Sequence, residues 1–153
     1  MRDLSELNIQ STRAREAPSE AQFAAFEAHF GVTLPSAYRE MLAFANGGHP
    51  ELSGFVPAGA EDPHLRDVDR FYCLNDERGP ETAWGATESW RKATGSNIVC
   101  IGRGSGGNQI VLNFDVTPPC VDLCLHDEAF AFVRVADSFE SFIDLLQIDP
   151  EME

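Results

Sequence analysis

The stretch that decides the fold is residues 97–114, which read NIVCIGRGSGGNQIVLNF. Residues 97–101 are an apolar run rich in β-branched side chains, which predicts a buried strand. Residues 102–108 contain four glycines, and such a cluster predicts a turn. Residues 109–114 form a second apolar run. Because strands joined by so short a connection run antiparallel, we expect a β-hairpin here.

The glycines of this turn also match a nucleotide-binding pattern. Gly102, Gly104 and Gly107 give the spacing G-x-G-x-x-G directly after a strand. In dinucleotide-binding proteins a helix follows, since the N-terminus of that helix binds the pyrophosphate. Here a β-branched strand follows and leaves no room for a helix. We therefore interpret the pattern as a hairpin turn and not as a nucleotide site.

Further strands are predicted on both sides of the hairpin. Residues 120–126 alternate between polar and apolar side chains, the pattern of a strand with one buried face. Residues 129–135, Ala-Phe-Ala-Phe-Val-Arg-Val, predict another strand. Shorter strand patterns occur earlier, at residues 54–56 and 70–74.

Helical patterns surround the strands. Residues 19–31 open with a capping box and place three phenylalanines at helical spacing before a glycine. Residues 35–48 begin with proline and end in Asn-Gly-Gly, which predicts a second helix. Residues 137–146 begin with an Asp-Ser cap, which predicts a C-terminal helix. A weaker helix is expected between residues 81 and 93, where Gly85 interrupts the pattern.

The order of elements predicts the fold class. Helices separated along the chain from an antiparallel sheet give an α+β fold. We expect a single domain with a mainly antiparallel twisted sheet, an N-terminal helical hairpin and a C-terminal helix packed on the sheet. The domain is predicted over residues 19–149, and residues 1–18 are expected to form a loose leader with one helical turn at most. A length of 153 residues, 43% of them hydrophobic, suits one core.

Charge restricts the function. The chain has a net charge of −14, with ten arginines and one lysine. Proteins that bind the phosphate backbone need a basic face, so we expect neither direct nucleic-acid binding nor docking to an anionic membrane. A basic protein partner would be attracted. With no apolar run long enough to span a membrane and a polar, acidic start, we expect a cytoplasmic protein.

Motifs that would indicate chemistry are weak. Cys120, Cys124 and His126 occur at even spacing on one predicted strand and could in principle share a metal ion, but we favour buried thiols. The run from His126 to Glu128 could be an acid–base cluster, but we favour the exposed end of a strand. Since no nucleophile motif or metal-ligand spacing appears, we expect no cofactor, no metal and no catalytic activity.

Four segments, taken together in order, resemble the SUKH superfamily of Smi/Knr-like domains. They are residues 34–48, with L-P-x-x-Y-x-x-x-L and N-G-G; residues 98–110, with a strand, a glycine turn and G-N; residues 121–128; and residues 135–142, with V-A-x-S-F-x-x-F. Members of this family include fungal regulators of cell-wall synthesis and bacterial immunity proteins of polymorphic toxin systems.

The resemblance implies a protein-binding domain without catalysis. We expect a bacterial immunity protein that neutralises a cognate toxin, such as a nuclease, by binding it. The alternative is a regulatory or scaffold module. Interfaces favour aromatic anchors with charged residues at the rim. The expected contacts with a basic partner are Glu61, Asp62, Asp67, Asp69, Asp76, Glu77, Trp84, Trp90, Asp122, Asp127 and Glu128.

Overall fold

The computed structural model describes residues 1–11, 13–61 and 64–148. Helices come first, then three short strands, then a third α-helix that leads into the main run of strands. The elements are a 3-10 helix Leu4–Leu7, α1 Glu20–Phe30, α2 Ser36–Phe44, β1 Leu52–Phe55, β2 Arg66–Asp67, β3 Arg70–Phe71, α3 Ala83–Thr94, β4 Ile98–Arg103, β5 Gln109–Asn113, β6 Cys120–Leu125, β7 Ala131–Ala136, α4 Phe139–Leu145 and β8 Gln147–Ile148.

Two antiparallel sheets carry the fold. The larger sheet has five strands in the order β3-β4-β5-β6-β7, and the smaller has three in the order β2-β1-β8. In the larger sheet each strand pairs with its neighbour along the chain, with Cys100 opposite Val111 and Leu123 opposite Val133. The predicted α+β fold is confirmed. The predicted glycine hairpin is the turn between β4 and β5.

Helices α1 and α2 form the N-terminal hairpin. Ser19 caps α1 by accepting the N–H of Gln22, whose side chain accepts the N–H of Ser19 in return. Gly31 ends the helix with φ +66°. The carboxylate of Glu27 then accepts the N–H of Leu34 at 2.7 Å. This bond fixes the short connection between the two helices.

The two ends of the chain share one core. Tyr38 of α2 meets Phe139 of α4 edge-on, with 5.4 Å between ring centroids. Phe142 of α4 meets Phe55 of β1 in the same way at 5.6 Å. All four rings are buried. Helix α4 therefore joins α2, the small sheet and the large sheet into one apolar interior.

Helix α3 packs on β4, where the N–H of Cys100 donates to the hydroxyl of Thr87, and it contains an internal glycine. Thr82 caps the helix by accepting the N–H of Gly85 at 3.0 Å. A Cβ atom at Gly85 would collide with the carbonyl oxygens of Gly79 and Arg78. Glycine weakens the helical pattern in the sequence, but this close approach of the preceding loop requires it. The predicted helix is confirmed.

A buried amide fixes the loop between α2 and β1. The side-chain N–H groups of Asn46 donate to the carbonyl oxygens of Glu16 at 2.9 Å and Leu74 at 3.1 Å. Its side-chain oxygen accepts the N–H of Leu74 at 2.8 Å. At Gly48, which has φ +136°, a Cβ would lie 2.7 Å from the carbonyl oxygen of Gln10. The Asn-Gly-Gly run therefore serves packing as well as the turn.

The N-terminal residues are packed against the domain. Leu4 and Leu7 are buried in the core, and Gln10 forms an antiparallel bridge with His49. The sequence predicts a loose leader over residues 1–18. The single helical turn is there, but the segment is held in place because both of its leucines face the core. The domain boundary at residue 19 stays a prediction.

Several strand assignments differ from the sequence pattern. The predicted strand over residues 70–74 is limited to Arg70–Phe71, after which Cys73 forms an isolated parallel bridge with Thr82. The predicted strand over residues 129–135 begins only at Ala131. Strands β2 and β8 were not expected, because two-residue strands have too few side chains to show a period.

Candidate functional site

An open cleft of about 710 Å³ lies between the small sheet and the β4–β5 turn. Its walls come from loops and strand ends, and one apolar residue of β6 contributes to the lining. The polar lining comes mainly from short side chains and imidazoles. Lining residues include His49, Ser53, Asp67, Asp69, Asn108 and Leu123.

The glycine turn beside this cleft holds a carboxylate of the chain itself. The N–H of Ser105 lies 3.2 Å from both carboxylate oxygens of Asp67. At Gly104 a Cβ would lie 3.0 Å from the carbonyl oxygen of Asp67, so the two segments approach closely. An amide of the turn is therefore occupied by an internal anion. Asp67, an expected partner contact, is half-buried and has a structural role.

A chain of ion pairs reaches the cleft at Asp69. Glu81 pairs with Arg70 and, at 2.8 Å, with Arg103. Arg103 also lies 3.4 Å from the carboxylate of Asp69. The ring of His49 donates from Nδ1 to the carbonyl oxygen of Asp69 at 2.5 Å, which leaves Nε2 to accept from Arg70 at 3.3 Å. The carboxylate of Asp69 is thus paired with Arg103, and its carbonyl oxygen with His49.

The turn between β6 and β7, residues 126–130, leans on the glycine turn. We call it the acidic turn. The ring of His126 donates from Nε2 to the carbonyl oxygen of Gly106 at 2.7 Å, and its backbone N–H donates to Asn108 at 3.1 Å. Asp127 and Glu128 are exposed, and their carboxylates form no ion pair within the described part of the chain. The acidic turn therefore presents two unpaired charges beside the cleft.

The other predicted acids lie in different places. Glu61 is exposed at the end of the loop after β1, and Asp62 lies outside the described residues. Asp76 is exposed. Glu77 binds Arg15 at 2.8 Å, and this bond together with one from an asparagine lowers the pKa of Glu77 to about 2. The structure therefore brings together only part of the predicted set, around the cleft and the acidic turn.

Asp122 is buried, in contrast to its predicted place on a partner surface. It is 5% exposed, and its carboxylate accepts from Arg134 at 3.2 Å and from Asn113 at 2.8 Å. The alternating pattern predicted one buried face for β6, but all six residues of the strand are buried. The polar face of β6 is covered because Arg134 of β7 and Asn113 of β5 bind the Asp122 carboxylate.

The two tryptophans have different environments. Trp84 is 7% exposed, its indole N–H donates to Glu88 at 3.0 Å, and the guanidinium of Arg78 lies 3.5 Å above its ring. It belongs to the core rather than to an open surface. Trp90 is half-buried and meets the ring of Phe130 edge-on, with 5.5 Å between centroids.

The cysteines behave as buried thiols. Burial raises the pKa of both Cys120 and Cys124 to about 11, and thiols so protonated are poor metal ligands. His126, by contrast, lies in the exposed turn. Within the described ranges no group of three or more His, Cys, Asp or Glu side chains is placed to hold a metal ion.

Two residues of this region were not expected from the sequence. Phe130 was assigned to a strand, but it lies in the acidic turn and is 36% exposed. Arg134 bridges Asp122 and Asp137, the latter at 3.1 Å. The polar run before Ala129 indicates a turn, and extending that turn by two residues would have placed Phe130 in it. No sequence pattern indicates the role of Arg134.

The fold is α+β, and it carries an open polar cleft and an exposed acidic turn. The chain belongs to the SMI1 / KNR4 family (SUKH-1), which it matches over residues 17–145. The predicted resemblance is therefore confirmed. Comparisons of the chain with curated proteins and with solved structures found no match. In the part of the chain that the structure describes, no helix has the length and apolar character needed to cross a membrane.

Proposed function

We propose that the chain is a bacterial immunity protein that acts in the cytoplasm by binding a cognate toxin domain and covering its active surface. It performs no chemistry of its own. Membership of the SMI1 / KNR4 family supports a protein-interaction role. A nuclease is a suitable target, because an enzyme that binds a phosphate backbone presents basic residues.

One observation carries the proposal: Asp127 and Glu128 are exposed and lack an ion pair among the described residues, in a turn that His126 joins to the lining of the cleft at Gly106. Two other carboxylates near the cleft are engaged within the chain, since Asp69 pairs with Arg103 and Asp67 accepts the N–H of Ser105. The two exposed carboxylates of the acidic turn therefore remain available to a partner. A cationic surface that docks there gains ion pairs without displacing an internal cation.

The cleft supports the same location. The glycine turn lines it, and the Gly106 carbonyl oxygen of that turn accepts the hydrogen bond from His126. A partner that covers the acidic turn can therefore also place a protruding side chain in the cleft. An interface needs roughly 800 Å² on each partner, more than a single turn offers.

The test is co-expression with any basic effector domain encoded at the same locus as this chain. We expect a 1:1 complex on gel filtration and restored growth of the host. Asp127→Asn with Glu128→Gln should weaken the complex at least tenfold at low salt, and the loss should shrink at high salt.

The matched control is Glu40→Gln with Glu140→Gln, which removes two exposed charges from helices α2 and α4. It changes the net charge by the same amount and should leave binding within twofold. Absence of a complex, or equal weakening in both double variants, would contradict the proposed interface. Specific binding to a housekeeping enzyme of cell-wall synthesis instead would favour the regulatory function.

A further inference from the structure

An exposed aromatic pair lies next to the acidic turn. Trp90 of α3 and Phe130 of the turn meet edge-on, at 5.5 Å and 88° between the ring planes. Trp90 is half-buried, and its indole N–H has no hydrogen-bond partner among the described residues. We call these two residues the aromatic patch. Aromatic side chains of this kind, apolar with an accessible polar atom, are enriched at protein interfaces.

The backbone of the turn holds Phe130 outward in an unfavourable conformation. Ala129 and Phe130 both have positive φ, 55° and 60°. This left-handed region is disfavoured for residues with a side chain, and for a bulky one it is an outlier. The hydrogen bonds of the turn hold this conformation, with the Phe130 N–H donating to the carbonyl oxygen of Leu125 at 3.1 Å, and they leave Phe130 36% exposed. Such strain is found where a side chain is presented for binding.

Two aromatic rings of the core each carry a cation of the chain itself. The guanidinium of Arg78 lies 3.5 Å from the Trp84 ring, and that of Arg39 lies 4.4 Å from the Phe23 ring. No described arginine or lysine is stacked on either ring of the aromatic patch. The aromatic patch is therefore not covered by any cation of the described chain.

The charges around the patch favour a cation. Asp127 and Glu128 precede Phe130 in the same turn and are unpaired within the described ranges. The one cation close along the neighbouring strand is Arg134, and it is neutralised by Asp122 at 3.2 Å and by an exposed aspartate at 3.1 Å. In α3, Arg91 donates to the carbonyl oxygens of Ile98 and Phe30, and Lys92 is exposed. An incoming positive charge therefore meets aromatic rings and two carboxylates, with Lys92 as the nearby exposed cation.

We infer that the aromatic patch and the carboxylates of Asp127 and Glu128 receive an arginine side chain of the basic partner. The guanidinium stacks on the ring of Phe130 or Trp90 while its N–H groups donate to a carboxylate. Arginine fits better than lysine, because its planar group stacks and binds a carboxylate with two parallel hydrogen bonds. This assignment rests on the proposed function, since it names the anchor within the same interface.

The test uses a nona-arginine peptide as the probe, with nona-lysine for comparison, and ¹⁵N-labelled protein observed by NMR. We expect the largest shifts at the indole N–H of Trp90 and at the amides of residues 127–132. Nona-arginine should bind at least threefold more tightly than nona-lysine. Shifts spread evenly over the acidic surface, or equal binding of both peptides, would overturn the inference.

Two variants separate the patch from general charge attraction. Phe130→Ala should weaken nona-arginine binding at least fivefold, while Phe44→Ala, which removes a 53% exposed phenylalanine from α2, should leave it within 1.5-fold. Equal effects in the two variants would contradict an anchor at Phe130. Amide spectra of each variant confirm that the fold is kept.

The outcome is independent of whether a toxin is found. If the peptide binds at the patch but the chain protects against no toxin, the proposed function fails and the cation site remains. If the chain neutralises its toxin and Phe130→Ala does so with undiminished affinity, the proposed function holds and the anchor is wrong.

Discussion

The carboxylate of Asp67 accepts the backbone N–H of Ser105, with both oxygens at 3.2 Å, and so joins the small sheet to the glycine turn of the large one. Hydrogen bonds to a charged group are stronger than those between neutral groups. The bond spans the mouth of the cleft, because both residues line it. The position of the glycine turn therefore depends on an aspartate that is 38 residues earlier in the chain.

This contact predicts the effect of Asp67→Ala. Its loss leaves the Ser105 amide without its partner and should lower the free energy of unfolding by about 1–2 kcal/mol. Urea denaturation measures the change, and amide hydrogen exchange at Ser105 should accelerate. Asp127→Ala, which removes an exposed, unpaired carboxylate, is the control and should change stability by less than about 0.5 kcal/mol. Equal losses in both variants would contradict a structural role for Asp67.

Two buried tyrosines should respond in opposite ways to the loss of a hydroxyl. The hydroxyl of Tyr72 donates to Gln109 at 2.7 Å, whereas that of Tyr38 is buried with no partner among the described residues. Tyr72→Phe should therefore cost about 1–2 kcal/mol, while Tyr38→Phe should be neutral or stabilise the protein by up to about 1 kcal/mol. Thermal denaturation of the two variants measures both changes in stability. A loss at Tyr38 as large as that at Tyr72 would show that its hydroxyl has a partner.

Gly85→Ala should be strongly destabilising although it lies in a helix. Alanine normally improves a helix over glycine by about 1 kcal/mol. Here the added Cβ would collide with the carbonyl oxygens of Gly79 and Arg78, so we expect a net loss of about 2–3 kcal/mol. Gly106→Ala is the control, since a Cβ there meets no atom within 4 Å. A melting temperature for Gly85→Ala equal to that of the control would contradict the close approach.

Glu77 should make stability depend on acid pH. Its bond from Arg15, with a second from Asn75, lowers the pKa of Glu77 from 4.5 to about 2. Because the pKa is lower in the folded state, the stabilisation is complete above pH 4.5 and is lost as the pH falls toward 2. NMR titration of the Glu77 carboxyl measures this pKa directly.

The matching variant is Glu77→Gln. It should be less stable than the wild-type protein at pH 6, and the difference should close as the pH approaches 2. Asp76→Asn, an exposed neighbour, should show no such convergence. A normal pKa for Glu77, or a difference that is independent of pH, would contradict the ion pair with Arg15.

Local signals were enough to predict most of the fold. The capping box at Ser19, the cap at Ser138 and the apolar runs on both sides of the glycine turn each act over a few residues, so a single sequence contains them. The two-residue strands β2 and β8 could not be predicted. They exist because distant segments meet, as Leu52 meets Ile148, and such pairing leaves no local pattern.

The candidate site was less predictable for the same reason. Acidity identified Asp127 and Glu128, but it could not separate them from Asp69 or Asp122, whose cations come from other strands. Composition likewise does not distinguish Trp84, already covered by Arg78, from the more accessible Trp90. Whether a charged or aromatic side chain is available to a partner depends on tertiary neighbours.

The acidic turn's charges and the aromatic patch act over different distances, and this difference has a kinetic consequence. Exposed, unpaired carboxylates such as those of Asp127 and Glu128 act at a distance and accelerate encounter with a basic partner, an effect that salt suppresses. Trp90 and Phe130 act only in contact, and so govern how long a complex survives. Charge variants of the turn should therefore slow association, and variants of the patch should shorten the lifetime of the complex.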